Sequence, residues 1–198
     1  MKRSSAANAD TQDKISENLR IQVKNMANLA GKSILMVVAA EGFRDEELLE
    51  PKKVFENYNA SVKIASKGVS VARGKLGAKI MVDYDIDEVL VQDYDAVVFV
   101  GGPGATVYFD DETAHSIARE ALEEGKIVGA ICIAPVILAN AGLLKGKKAT
   151  VFPSGADDLK KNGAKYTGKD VEADGKIVTA NGPAAAKKFG EKIVEMLR

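Results

Sequence analysis

Hydrophobic residues in this chain form short continuous runs that alternate with segments of helical spacing. The runs at 34–40, 96–100 and 127–131 predict strands buried on both faces, as in a parallel sheet. Further strands are predicted at 61–65, 149–152, 171–173 and 176–179, and helices at 45–58, 111–124, 134–143, 157–161 and 184–197. Because strands alternate with helices, the pattern predicts an α/β fold with helices on both faces of a parallel sheet.

Two segments rich in glycine interrupt this alternation. Asp174-Gly175 separates two strand-like runs and is a strong hairpin signal. Residues 68–82 contain several glycines and predict a hairpin or an irregular excursion. In a parallel sheet, functional residues gather at the carboxyl ends of the strands. Those ends are the turn after Ala40, the loop at 101–104 and Cys132.

The N-terminal part of the chain differs from the rest in composition. Residues 1–12 are small and polar, which predicts disorder. Residues 13–29 carry an apolar stripe of the kind found on one face of an amphipathic helix, formed by Ile15, Leu19, Val23, Met26 and Leu29. We therefore expect residues 1–30 to be an extension whose helix adds to a subunit interface, and residues 31–198 to form the main domain.

The balance of charges excludes several classes of partner. Because 28 basic residues match 28 acidic residues, no basic footprint argues for nucleic acid or for an anionic membrane.

No apolar run reaches the ~18 residues of a membrane span. The N-terminus also lacks the apolar segment of a secretory signal. The sequence therefore predicts a cytoplasmic protein.

The scarcity of cysteine and histidine limits the metal chemistry of the chain. One cysteine excludes both an internal disulfide framework and a cysteine-rich zinc site. Asp83, Asp85, Asp87 and Glu88 alternate in a way that suggests cation binding, but the glycine and terminal glutamate of a calcium loop are missing. A solvated loop is the better interpretation, and we expect neither a metal nor a cofactor.

Cys132 lies where an apolar run ends and a helical pattern begins, which predicts a sharp strand-to-helix turn. A nucleophile on such an elbow needs small residues two positions before and after it, and Ala130 and Ala134 meet this need. The turn would point the thiol at a helix N-terminus, which lowers the pKa of the thiol. Free cysteine is also among the most buried residue types, so the local pattern leaves a structural role open.

Two other segments at strand ends each have two interpretations. The loop Gly101-Gly102-Pro103-Gly104 lacks the Lys-Ser/Thr of a Walker motif and the full dinucleotide spacing, so it is either an oxyanion hole or a simple tight turn. The acids at 45–47 open a predicted helix, where the helix dipole alone favours them. One of them could instead turn into the site and act as a general acid or base.

Three segments together resemble the PfpI superfamily, which includes PfpI-type intracellular proteases and protein deglycases of the glyoxalase III type. They are residues 42–51 (GFRDEELLEP), 98–105 (VFVGGPGA) and 130–135 (AICIAP), and their order fits over about residues 32–198. The resemblance implies a flavodoxin-like three-layer sandwich with a mostly parallel central sheet, similar to class I glutamine amidotransferases. It also implies a homodimer or higher homo-oligomer.

The resemblance further implies roles for individual residues. Cys132 would be the nucleophile, and Glu47 would be the acid whose protonated carboxyl hydrogen-bonds the thiolate. The backbone N–H groups of Gly102 and Ile133 would form the oxyanion hole. The pocket is expected to include Gly101, Phe152 and Pro135.

The chain departs from both branches of the superfamily at a histidine. The protease branch has histidine directly after the cysteine, where this chain has Ile133, and the deglycase branch has one at the position that matches Phe152. His115 falls in the helix predicted at 111–124, where an ordinary surface or helix role is expected. No Cys–His dyad is evident, which argues against proteolysis because nothing would deprotonate the thiol.

These residues favour a cofactor-independent glyoxalase or deglycase that acts on methylglyoxal or its adducts. The reaction would pass through a hemithioacetal on Cys132, with Glu47 as the proton shuttle. A PfpI-type peptidase or amidase is one alternative, and it needs a general base near Cys132. A non-enzymatic redox sensor or holdase is another, and it needs a thiol that oxidises readily.

Overall fold

A computed structural model of the chain describes Ser16 and residues 28–198. The tail predicted to be disordered, at 1–12, lies outside the described residues. The amphipathic helix predicted at 13–29 lies outside them as well, apart from Ser16, which is helical, and residues 28–29, which are not. Its expected place at a subunit interface stays a prediction.

The part of the chain from 28 to 198 contains short strands and helices in alternation. The strands are β1 (Ser33–Val37), β2 (Glu41–Phe43), β3 (Ser61–Ser66), β4 (Val71–Gly74), β5 (Lys79–Met81), β6 (Tyr84–Asp85), β7 (Ala96–Phe99), β8 (Ile127–Ile131), β9 (Lys148–Ala149), β10 (Lys165–Tyr166), β11 (Val171–Asp174) and β12 (Ile177–Ala180). The α-helices are α1 (Asp45–Asn57), α2 (Glu112–Glu123), α3 (Pro135–Asn140), α4 (Ala156–Lys161) and α5 (Ala186–Leu197).

The central sheet has seven strands in the order β11-β12-β8-β7-β1-β3-β6. Its strands are parallel except β11, which pairs antiparallel with β12 across the predicted hairpin. A smaller sheet has the order β2-β4-β5, and its β4–β5 pair is the hairpin predicted within 68–82. The predicted α/β architecture with a mostly parallel central sheet is confirmed.

Alternate residues of β8 show how the sheet divides the core into two layers. Val128 and Ala130 pack into the cluster formed with α2, α3 and α4 on one face. Ile127 and Ile131 pack into the cluster formed with α1 and α5 on the other. Gly129 is required between them, because a Cβ there would lie 2.9 Å from the Phe189 ring on α5. Both faces of the sheet are therefore buried, as the continuous apolar runs predict.

Two predicted strands are shorter than their apolar runs because the chain leaves the sheet early. The first run was expected to continue to Ala40, but β1 ends at Val37 and the chain turns into β2, which pairs with β4. The strand expected at 149–152 ends at Ala149. Beyond it, Thr150 N donates to the side chain of Thr179, and Phe152 N donates to Cys132 O. The backbone of this segment therefore holds the elbow instead of extending a sheet.

None of the helices in the described region is long and apolar enough to cross a membrane.

Candidate active site

Cys132 follows β8 directly and has a positive φ of 61°, which is uncommon for a residue other than glycine. Its N–H donates to Ala180 O at 2.9 Å, and its carbonyl accepts from Phe152 N at 2.7 Å. These bonds to both neighbouring segments hold the strained conformation in place. The residue is 9% exposed and lines a cavity.

Glu47 lies in the first turn of α1, is fully buried, and interacts with the Cys132 thiol. Neither of its carboxyl oxygens has an N–H or O–H donor among the described residues. Burial raises the pKa of Glu47 to about 7, although the Cys132 thiol and the Arg44 charge both act to lower it. The carboxyl is therefore ready to hold or release a proton near neutral pH.

Gly101 lies between the thiol and the carboxyl. A Cβ at this position would lie 2.5 Å from both Cys132 Cβ and Glu47 Oε2, so only glycine allows the two side chains to approach. Gly102 has a φ of 103°, and a Cβ there would lie 2.3 Å from Arg44 N. The glycine-rich loop thus packs against backbone and side chains of the protein itself.

The pKa of the Cys132 thiol is raised to about 12 by burial, by the charge of an ionised Glu47 and by the hydrogen bond to it. The backbone N–H groups of Gly102 and Ile133 act in the opposite direction and favour the thiolate. The lowered pKa predicted from a helix N-terminus is therefore wrong while Glu47 is ionised. Once Glu47 takes up a proton, the repulsion disappears and its O–H can donate to the sulfur. The two side chains thus compete for one proton.

The pair opens into a cavity of about 290 Å³. The residues that line it come from several separate segments of the chain: Arg44, Glu47, Lys75, Gly102, Pro103, Thr106, Cys132, Ile133, Phe152, Ser154 and Pro183. Phe152, which is 43% exposed, contributes an apolar wall, as does Ile133. Pro135, expected in the pocket, does not line it, because it is the buried first residue of α3. Gly101, which packs against both side chains, does not line the cavity either.

The three acids at the start of α1 have three different environments. Asp45 accepts from the backbone N–H groups of Leu76 and Ala78. Glu46 forms an ion pair with Arg44, and Glu47 alone faces the thiol. Stabilisation by the helix dipole alone therefore does not explain why three acids lie at the start of α1.

His115 and the acids at 83–88 lie away from the cavity. His115 is on α2, as predicted, but it is buried, and its Nε2 contacts Phe109 O at 2.9 Å. Asp83 accepts from Ile64 N, and Asp85 accepts from Gly68 N, so these carboxylates fix loops by binding backbone. Among the described residues, no group of three or more acids, histidines or cysteines is arranged to hold a metal ion.

Arg44 and Lys75 are cavity residues that the sequence did not identify. Arg44 directly precedes α1, but the sequence does not determine the direction in which its long side chain points. Lys75 lies at the turn between β4 and β5, and its place beside Cys132 depends on how this hairpin packs. A lysine in a glycine-containing turn is expected to be exposed to solvent, so the local sequence does not indicate that Lys75 lines a cavity.

Comparison with known proteins supports the resemblance seen in the motifs. A relative from Pyrococcus furiosus named Deglycase PfpI is 34% identical over 164 residues, which are 83% of this chain and 99% of that protein. An uncharacterized protein of Methanocaldococcus jannaschii is 42% identical over 173 residues, 86% of this chain and 84% of that one.

A solved structure gives the same result at the level of the fold. The ThiJ/PfpI domain protein from Brachyspira murdochii superposes with a TM-score of 0.82 and 36% identity, over 83% of this chain and 95% of that chain. Residues 32–196 match the model of the DJ-1/PfpI family. The resemblance to the PfpI superfamily is confirmed, and the chain belongs to the DJ-1/PfpI family.

Proposed function

We propose that this protein is a cofactor-independent glyoxalase or deglycase that acts on methylglyoxal, or on adducts of it, through Cys132 and Glu47. The observation that carries the proposal is the buried Glu47 carboxyl, which faces the thiol and has no N–H or O–H donor among the described residues. Burial of a carboxyl whose one polar partner among the described residues is a thiol is destabilising, so its place beside a nucleophile favours a role in proton transfer. The deglycase name of a relative supports the same class of chemistry.

The first step is addition of the Cys132 thiolate to the aldehyde carbon of methylglyoxal. The carbon–sulfur bond forms while the π electrons of the carbonyl move to oxygen. The N–H groups of Gly102 and Ile133, which favour the thiolate in the free enzyme, are suited to stabilise the negative oxygen. Glu47, which holds the shared proton while Cys132 is a thiolate, gives this proton to the oxygen, so that the hemithioacetal forms and Glu47 becomes a carboxylate.

The second step moves a proton between the two carbons of the substrate. The Glu47 carboxylate removes the proton from the carbon bonded to sulfur, and the electron pair forms an enediolate. Glu47 then returns the proton to the neighbouring carbon, while the hydroxyl proton on the sulfur-bound carbon passes to the adjacent oxygen, which leaves a 2-hydroxyacyl thioester on Cys132. Water hydrolyses this thioester, so that lactate leaves and the thiol is regenerated. A shuttle of this kind is most efficient when its pKa lies near the working pH, as that of Glu47 does.

The cavity offers little support for amide hydrolysis. An amine leaving group must be protonated, usually by an imidazole close to the nucleophile. The positions beside the thiol that could hold one are Ile133 and Phe152, and His115 packs on α2 away from the cavity. Isomerisation of a bound 2-oxoaldehyde needs one carboxyl and no imidazole, which is why it suits this cavity better.

The test of this function is the conversion of methylglyoxal to lactate, followed by chiral chromatography. Wild type should form lactate, and Cys132→Ser should form none above the rate without enzyme. Glu46→Gln is a matched control, because Glu46 neighbours Glu47 but pairs with Arg44 and not with the thiol; it should retain activity. Lactate formation by Cys132→Ser at the wild-type rate, or none by wild type, would overturn the proposal.

A further inference from the structure

The lining of the cavity combines apolar surface with two cationic side chains. Pro103, Ile133 and Phe152 supply apolar surface, whereas Arg44 and Lys75 supply cationic side chains. Methylglyoxal is uncharged and uses neither of them. A cavity of about 290 Å³ also has room for a substrate larger than methylglyoxal.

Arg44 is largely neutralised by a neighbouring acid. Its Nε and Nη2 donate to the two carboxylate oxygens of Glu46, at 2.8 and 3.1 Å. Its Nη1 has no partner within the described part of the chain. The guanidinium can therefore offer one more hydrogen bond, but it contributes little net charge.

The Lys75 ammonium, in contrast, has no ion pair and no hydrogen bond with any described residue. Some lysines near loops are paired, such as Lys63 with Asp83 and Lys67 with Asp111, and others in turns, such as Lys145, are not paired within residues 28–198; Lys75 differs from these in lining the cavity. Lys75 therefore adds to the cavity that contains Cys132 a positive charge without an ion-pair partner among the described residues.

The position of Lys75 is fixed by the backbone around it. Its N–H donates to Phe43 O at 2.8 Å. The next turn of the hairpin is tied to Asp45, which accepts from Leu76 N at 2.8 Å and from Ala78 N at 2.7 Å. Asp45 and Glu47 both belong to the first turn of α1. The same helical turn therefore anchors the hairpin that carries Lys75 and positions the Glu47 carboxyl.

We propose that the substrate is a 2-oxoaldehyde that carries an anionic group, a carboxylate or a phosphate monoester, at the end remote from the aldehyde, and that Lys75 is the residue that selects it. The inference rests on the proposed function, because it takes Cys132 to attack the aldehyde end. The hydrocarbon part lies against Ile133 and Phe152, and the free Nη1 of Arg44 supplies a second donor to the anion.

A comparison of charged and neutral substrates tests the role of Lys75. The substrates are 4,5-dioxopentanoate and its methyl ester, which differ in the charge at the remote end. Wild type should prefer the anion in kcat/KM by about tenfold, the effect expected of one charge-assisted hydrogen bond. Lys75→Met should lose the preference through KM and Lys75→Arg should retain it. Lys79→Met is the control, because Lys79 is an exposed lysine of the same hairpin that does not line the cavity.

The inference would be overturned if wild type and Lys75→Met preferred the anion to the same degree, or if wild type showed no preference for it. Either result is compatible with turnover of methylglyoxal, so the proposed function would not be affected. Inorganic phosphate and acetate, tested as inhibitors of methylglyoxal turnover, distinguish the two anions, since the stronger competitor identifies the group that the subsite accepts.

Alkylation of Cys132 gives a readout that does not depend on turnover. Cys132 is the only cysteine in the chain, so iodoacetate and the nearly isosteric, neutral iodoacetamide report on this site alone. The ratio of the iodoacetate rate to the iodoacetamide rate should fall several-fold in Lys75→Met and stay unchanged in Lys79→Met. If wild type turns over no 2-oxoaldehyde, the proposed function fails. An unchanged ratio in Lys75→Met then shows that the charge selection fails too.

Discussion

A buried carboxyl and a buried thiol face each other in this site, and each controls the charge of the other. Ionisation of Glu47 raises the pKa of the Cys132 thiol, whereas protonation of Glu47 removes that repulsion. The sequence motifs could identify both residues. They could not give the electrostatics, because the raised pKa of Glu47 comes from burial, and its burial depends on packing around Gly101 from another segment.

Gly101→Ala tests the close approach of the two side chains. The new methyl would overlap both Cys132 Cβ and Glu47 Oε2, so we expect a loss of about 1–3 kcal/mol in the free energy of unfolding and a loss of lactate formation. Gly125→Ala is the control, because a Cβ there meets no atom within 4 Å. It should lose some stability through its positive φ but retain activity. Full activity in Gly101→Ala would contradict the geometry of the pair.

The pH dependence of stability tests the state of Glu47. Its pKa rises from 4.5 to about 7 on folding, so folding favours the protonated form. This contribution is complete below pH 4.5 and is lost as the pH rises through 7. Relative to Glu47→Gln, wild type should lose about 3 kcal/mol in the free energy of unfolding between acid and mildly alkaline pH. If the free energy of unfolding, measured with urea, changes equally with pH in both proteins across that range, the raised pKa is refuted.

At the scale of elements, the β4–β5 hairpin brings distant residues to the site. The glycines at 68–82 predict a hairpin, and the structure confirms one, but the turn chemistry does not reveal where it docks. Docking depends on Asp45, whose carboxylate accepts two hairpin N–H groups, and on Gly74, where a Cβ would lie 2.5 Å from that carboxylate. Contacts between segments about thirty residues apart leave no periodic signal, so Lys75 was missed.

Asp45→Ala should loosen this hairpin. Removal of a carboxylate that binds two backbone N–H groups leaves both without a partner, and we expect a loss of about 2–3 kcal/mol in the free energy of unfolding. Hydrogen exchange at the amides of Leu76 and Ala78 should quicken more than exchange in β8. Asp93→Ala, which removes an exposed carboxylate without an ion pair among the described residues, should change stability by less than about 0.5 kcal/mol. Equal effects of the two variants would show that Asp45 does not anchor the hairpin.

At the scale of the molecule, the carboxyl edge of the parallel sheet brings the candidate site residues together. Cys132 follows β8, the glycine loop follows β7, and both meet the start of α1 there. This much follows from the alternation of buried runs and helices, because parallel strands place their carboxyl ends together. The helix predicted at 13–29 lies outside the described residues, apart from Ser16 and residues 28–29.

Deletion of residues 1–27 tests the expected role of the extension, because Leu29 packs in the core of the domain and has to stay. The apolar stripe predicted at 13–29 must be buried, and we expect it to add to the interface of a homodimer. Light scattering of the eluting protein should give a dimer for the full chain and a smaller or more readily dissociating species after deletion. An unchanged oligomer mass at all concentrations would show that the extension does not contribute.

The most direct test of the central claim, that Glu47 shuttles the proton while Cys132 holds the substrate, is made on Glu47→Gln. Lactate formation from methylglyoxal and alkylation of Cys132 by iodoacetamide should be measured on the same samples as wild type. This role of Glu47 predicts that Glu47→Gln forms lactate at least about a hundredfold more slowly than wild type while its thiol is still alkylated. Lactate formation at the wild-type rate by Glu47→Gln would contradict it.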